Sequence, residues 1–168
     1  MKWVSHKILT GVMVYAITGD ILLTGAAVGG SVLPDVIEGI PNKLDRRWRR
    51  HHRQLSHWPV PYATVFATIT FLEHTRNISA FNDGYRLLEM LMFFPTEVRA
   101  MIVVHLVSGL ALGACLHILQ DALCGTVPSL NPRKRFGKEL FEVGSLKEYG
   151  YVLAISAGML YVKINNFI

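Results

Sequence analysis

Charge is the first thing this sequence lacks. Asp, Glu, Lys and Arg make up 17% of its 168 residues, while apolar residues make up 51%. An ordinary soluble domain carries roughly 25% charged residues. The deficit leaves too few charges to cover a water-facing surface, which argues against a soluble globular domain. Cysteine is scarce too. Cys115 and Cys124 are the only two, too few for a disulfide framework, and both are read as small apolar residues beside an apolar run. The start of the chain, basic and then briefly apolar, has the outline of a secretory signal. No small-x-small cleavage site precedes Asp20, and apolar character resumes at Ile21, so the segment is expected to be retained. Internal repeats and low-complexity stretches are also missing.

Acidic residues are fewer than basic ones, and the formal charge is +5. The basic residues are clustered: six of the 17 Lys and Arg lie between Lys43 and Arg53, and four more are Arg133, Lys134, Arg135 and Lys138. They flank apolar runs, so the expected partner is an anionic lipid surface and not nucleic acid.

Long uncharged runs are what the sequence does have. Residues 100–120 hold no Asp, Glu, Lys or Arg over 21 positions, enough for a transmembrane helix. Ser108, Gly109, Gly113 and Ala114 on this run allow close helix packing in lipid. Residues 54–72 form a second run, apolar from Val60 to Leu72. Residues 149–168 form a third, interrupted by Lys163, which can snorkel to the interface. Ile8–Gly19 and Ile21–Pro34 are shorter apolar runs separated by Asp20 and read as a helical hairpin. Tyr85–Phe94 reads as an interfacial helix. Trp48 and Trp58 suit an aromatic belt. The expected fold is all-α: one polytopic membrane helical bundle over residues 1–168, with four to five membrane helices including the short amino-terminal hairpin. If each pair of runs goes out and back, Lys2 and Lys7, the 43–53 cluster and the 133–138 cluster all fall on one side. The positive-inside rule makes that side cytoplasmic.

This topology gathers the residues able to do chemistry. His6 precedes the hairpin, Asp35 follows it, His51, His52 and His57 lie around the basic loop, and His117 and Asp121 close the 100–120 run. Histidine and carboxylate suit zinc and related divalent metals. The spacing of four between His117 and Asp121 puts both on one helix face; a helix-end pair that simply meets water is the bland alternative. His52 and His57 need a loop to bring them inward. Arg53 can hold an anionic group such as a phosphate. Arg46, Arg47, Arg49 and Arg50 are read as headgroup contacts. Asp35 follows Leu33-Pro34 as a ligand candidate or as a turn residue, and Glu38 offers another carboxylate. His105, about 120° from His117 around the helix, is read as a packed or hydrogen-bonded residue, and His74 is set aside.

In order along the chain, these residues resemble the YdjM-like family of inner-membrane metal-dependent hydrolases. His6 with Gly11, the small residues of Gly25–Gly30 with Leu33-Pro34-Asp35, then His52-Arg53 with Ser56-His57, and finally His117-x-x-x-Asp121 with Gly125 and Leu130-Asn131-Pro132 follow the family pattern. Ile37 and Glu38 stand where the family often has Asp and His, and Cys124 stands where it usually has Thr. The His and Asp set is more loosely similar to zinc-dependent phospholipase C. The resemblance implies His6, Asp35, His52, His57, His117 and Asp121 as metal ligands for one or two Zn²⁺. It implies Arg53, Ser56 and Glu38 as supporting catalytic groups, with Ser56 more a hydrogen-bonding residue than a nucleophile. It also implies a phosphoester or lipid-linked substrate at the cytoplasmic face of an inner membrane. The alternatives are a non-enzymatic scaffold or complex subunit with a structural or vestigial metal site, and, less favoured, a transporter.

Overall fold

In the computed structural model, residues 1–39, 54–75 and 96–165 are described. The basic cluster 43–53 and the run Tyr85–Phe94 lie outside the described residues, and so do the candidates His52 and Arg53. The described chain is mostly helical. Helix α1 spans Trp3–Thr18 and α2 Ile21–Gly30, followed by a short α3, Leu33–Glu38. A single 3-10 turn at Leu55–His57 leads into α4, Pro59–Thr75. Helix α5 runs from Thr96 to Asp121 and α6 from Leu146 to Ile164. Between these two lies a two-residue antiparallel ribbon, β1 (Val127–Pro128) against β2 (Arg135–Phe136). Two segments, Ile21–Glu38 and Ile102–Asp121, are long and apolar enough to cross a membrane.

The hairpin forms where Asp20 interrupts the apolar run. Its carboxylate accepts from the backbone N–H of Leu23 at 2.8 Å and caps α2, satisfying one of the helix's free amino-terminal donors. The other carboxylate oxygen lies 2.9 Å from His105 Nε2, which ties the hairpin turn to α5. His105 is thus a hydrogen-bonding residue of the helix interface. At the opposite end of α2, Pro34 supplies no N–H. The helix breaks at Ser31–Val32 and restarts as α3.

Helix α1 begins at Trp3, well ahead of the apolar run at Ile8. His6 therefore lies inside the first turns of α1 and not ahead of the helix. The reason is a distant acceptor. Glu148, fully buried near the start of α6, accepts from the backbone N–H of Lys2 at 2.9 Å, from the Ser5 hydroxyl, and from Gly144 N–H at 2.6 Å. It stands in for the missing cap of α1. Helix α6 likewise starts earlier than residue 149, at a Ser145-x-x-Glu148 sequence in which the Ser145 hydroxyl accepts from Glu148 N–H at 3.3 Å. That spacing is a helix-start signal in its own right.

Burial disfavours the ionised form of Glu148, but the donors on Gly144, Ser5 and Lys2 outweigh it and hold its pKa below the ordinary 4.5. A carboxylate held low stabilises the fold above its ordinary pKa, and that stability is lost as pH falls through the folded value. Glu148→Ala leaves three donors without their acceptor. It is expected to cost about 2–4 kcal/mol at neutral pH, read from thermal unfolding in detergent. Glu148→Gln, which keeps one acceptor oxygen, is expected to cost less.

Helix α2 packs most extensively on α5. The approach is very close. A Cβ on Gly113 would lie 2.0 Å from the carbonyl oxygen of Ala27 and 2.8 Å from the backbone nitrogen of Ser31, and a Cβ on Gly30 would lie 2.1 Å from the carbonyl oxygen of Leu110. Only glycine fits at such a crossing. Gly113 and His117 are one turn apart on α5, so the same stripe that seats α5 on α2 carries the imidazole toward the break after α2.

Candidate metal centre

One end of the bundle collects a buried group of imidazoles and carboxylates. His6 comes from the start of α1, Asp35 from α3, His57 from the turn before α4, and His117 and Asp121 from the end of α5. His6, His57 and His117 are fully buried, and Asp121 and Asp35 are 2% and 8% exposed. Isolated ionisable groups are expensive inside a protein and persist when they are paired or bind a metal.

The imidazoles share one arrangement. His117 Nδ1–H donates to the carbonyl of Ser31 at 2.6 Å, the residue at which α2 breaks. His6 Nδ1 lies 2.7 Å from Gln120 Oε1, and Gln120 Nε2 donates onward to the Thr10 hydroxyl at 3.0 Å. His57 Nδ1 lies 3.1 Å from Glu38 Oε1 and 2.9 Å from the Ser56 hydroxyl, which itself donates to Glu38. With every Nδ1 engaged, every Nε2 is turned inward. The second oxygen of Asp35 is fixed in the same way, accepting from Trp3 Nε1–H at 2.6 Å. Metal-binding imidazoles are oriented by such partners on the nitrogen that does not bind the metal.

The inward atoms form two overlapping triads, His6–His117–Asp121 and Asp35–His57–His117, with ligand atoms within 4.8 Å of one another. The second triad is the tighter. His57 Nε2 and His117 Nε2 are 3.2 Å apart, and Asp35 Oδ1 is 3.3 Å from the first and 3.5 Å from the second. A tetrahedral ion with Zn–N and Zn–O bonds of about 2.0–2.2 Å separates its ligands by about 3.3–3.6 Å. The triangle is therefore the size of one face of a tetrahedron. Asp35 Oδ1 and His6 Nε2 are buried and make no hydrogen bond, as atoms awaiting a cation would be. Asp121 stands between the triads. Its Oδ2 is 3.6 Å from His57 Nε2 and 3.7 Å from His117 Nε2, and its Oδ1 is 3.3 Å from His6 Nε2. The residues present fit a divalent metal.

Of the sequence candidates, His6, Asp35, His57, His117 and Asp121 meet at this centre. Ser56 and Glu38 touch the Nδ1 side of His57 and orient it. Sequence reasoning passed over Gln120, Trp3 and the Ser31 carbonyl, which fix ligands, and Cys124, whose sulfur is 3.7 Å from Asp121 Oδ1. Gln120 sits beside Asp121 and one helical turn from Leu116, so an uncharged amide at the end of an apolar run was the available signal. The Met1 nitrogen also reaches Asp121 Oδ1, at 2.5 Å, and Cys124 Sγ, at 3.0 Å. No protein-family model, curated protein or solved structure matches this chain.

Proposed function

We propose that this protein is a membrane-embedded, metal-dependent hydrolase acting on a phosphoester or lipid-linked substrate. The observation that carries the reading is the Asp35–His57–His117 triangle, in which each ligand is held from behind and aimed at one point. Three protein ligands with a further position open is the pattern of catalytic zinc. A zinc ion held there would lower the pKa of a water molecule and polarise a phosphoryl oxygen. The protein's own part is to fix the triad, to offer the Asp121 carboxylate beside it as a proton acceptor, and to keep the surroundings dry. Arg53 is assigned to hold substrate charge, in line with the resemblance to the YdjM-like family.

The bundle is taken to cross an inner membrane four or five times, with the centre on the cytoplasmic side. Apolar side chains on the outer helix faces support this: Ile8, Ile17, Phe71, Leu119, Leu153 and Ile164 are all exposed. The basic residues 133–138 follow α5 at the end where the centre lies. An apolar cavity of about 520 Å³ beside α1 and α5 includes Leu9, Met13, Leu119, Leu123 and Gln120 in its wall. Gln120 also holds His6, so an acyl chain in this cavity would lie next to the centre.

One observation favours a second reading. None of the five ligand residues is more than 8% exposed, and closed sites are a feature of structural zinc. The two readings part in one experiment: elemental analysis of detergent-purified protein, followed by phosphodiesterase and esterase panels on wild type and Asp35→Asn. Stoichiometric zinc with hydrolysis lost in the variant supports the hydrolase. Zinc with blank panels supports a scaffold with a structural metal, and a wild type without stoichiometric metal overturns both.

A further inference from the structure

His117 Nε2 has one lone pair and binds one ion. If it completes the triangle with Asp35 and His57, the other triad is left with His6 and Asp121, and His6 Nε2 stays buried without a hydrogen bond. The missing donor is close by. Cys124 Sγ, 7% exposed, lies 3.7 Å from Asp121 Oδ1, and Asp121 Oδ1 lies 3.3 Å from His6 Nε2. With Zn–S near 2.3 Å and Zn–O near 2.1 Å, a tetrahedral ion sets sulfur and oxygen about 3.6 Å apart. With a nitrogen in place of the sulfur the separation is about 3.3 Å. Both observed separations match.

The structure assigns a second cation position to His6 Nε2, Asp121 Oδ1 and Cys124 Sγ, beside the first. The position already attracts positive charge, since the Met1 ammonium nitrogen lies against Asp121 Oδ1 and Cys124 Sγ, and a metal ion there would displace it. The thiol gives up its proton to solvent on binding. A thiolate is a soft ligand that selects zinc, cadmium or cobalt over magnesium or manganese, so Cys124 gives the second position a preference that an all-oxygen and nitrogen set lacks. This inference rests on the metal centre proposed above and adds a second ion to it.

The test uses cobalt(II) as the probe on the full chain in detergent, with Cys115→Ser as the background so that Cys124 is the only thiol. The expected result is two cobalt ions per chain and a near-ultraviolet sulfur-to-cobalt charge-transfer band. In Cys124→Ser the band is expected to vanish and the second ion to bind more weakly by at least the roughly 10–100-fold that loss of an orienting partner alone brings. The first ion's visible spectrum should persist and report that the chain is folded. His6→Ala is expected to lose the second ion in the same way. One cobalt without a sulfur band in the parent overturns the second position and leaves the first standing. No cobalt at all overturns the metal centre itself. Two ions with an unchanged spectrum in Cys124→Ser overturn the role of the thiolate.

Discussion

His117→Ala is expected to abolish zinc binding at the Asp35–His57–His117 position, measured by metal analysis and by competition with a chelating dye. The loss should exceed the roughly 10–100-fold effect of removing an orienting partner, because His117 supplies a ligand atom to that triangle and is joined to the α2 break through Ser31. Ser31 contributes a backbone carbonyl, so no side-chain change there mimics the effect. Binding should also depend steeply on pH. Burial favours the neutral His57 imidazole, but the facing carboxylates of Asp121, Asp35 and Glu38 outweigh this and raise its pKa to about 10. Near neutrality the metal-free centre therefore holds a proton that an incoming ion must expel. Zinc affinity is expected to rise about tenfold per pH unit for that one proton, with proton release visible in unbuffered titrations. Stability of the metal-free protein runs the other way. A raised imidazole pKa contributes fully below the ordinary 6.5, and its contribution is lost as pH climbs toward 10.

Gly113→Leu is expected to have the second large effect. Even the first carbon of the new side chain would sit 2.0 Å from the Ala27 carbonyl oxygen, so α2 and α5 must part. Overpacking a tight interface costs about 1–3 kcal/mol or more. Because His117 lies one turn further along the same face, its hydrogen bond to Ser31 is lost with the helix contact. Thermal unfolding in detergent should show a lower midpoint, and zinc titration should show weaker binding in the fraction that remains folded. Gly158→Ala on α6 is the matched control. A Cβ there meets nothing within 4 Å, and alanine in a helix interior is favoured over glycine by roughly 0.5–1 kcal/mol. The two substitutions are expected to differ in sign. An unchanged midpoint in Gly113→Leu would remove the close crossing from the account.

Much of this arrangement is visible in the residues themselves. The interruption at Asp20, the small residues of α5, and the His117-x-x-x-Asp121 spacing are local patterns with direct structural meaning, and helix alternation carries the candidate ligands to one end. What is not visible depends on contacts between distant parts of the chain. Helix α1 starts at Trp3 because of an acceptor 146 residues away from Lys2, and no window of sequence around His6 contains that information. The division of labour among the polar candidates is equally non-local. Glu38 reads as a possible ligand by type, yet it holds the back of His57 because α3 and the turn at residues 55–57 meet side by side. Cys124 reads as apolar filler in one dimension and proves to touch the Asp121 carboxylate in three.

The buried Glu148 also bears on how the chain is made. Synthesis runs from residue 1 upward, so the hairpin, the triad and both long apolar segments are complete before Glu148 leaves the ribosome. Until then the backbone N–H of Lys2 and the Ser5 hydroxyl lack the Glu148 carboxylate, and the first turn of α1 is held through Trp3 on Asp35 and His6 on Gln120. Helix α6 acts as a closing clasp. Chains that stall before α6 would carry His6, Asp35, His57, His117 and Asp121 yet lack the acceptor that Glu148 gives Lys2 and Ser5.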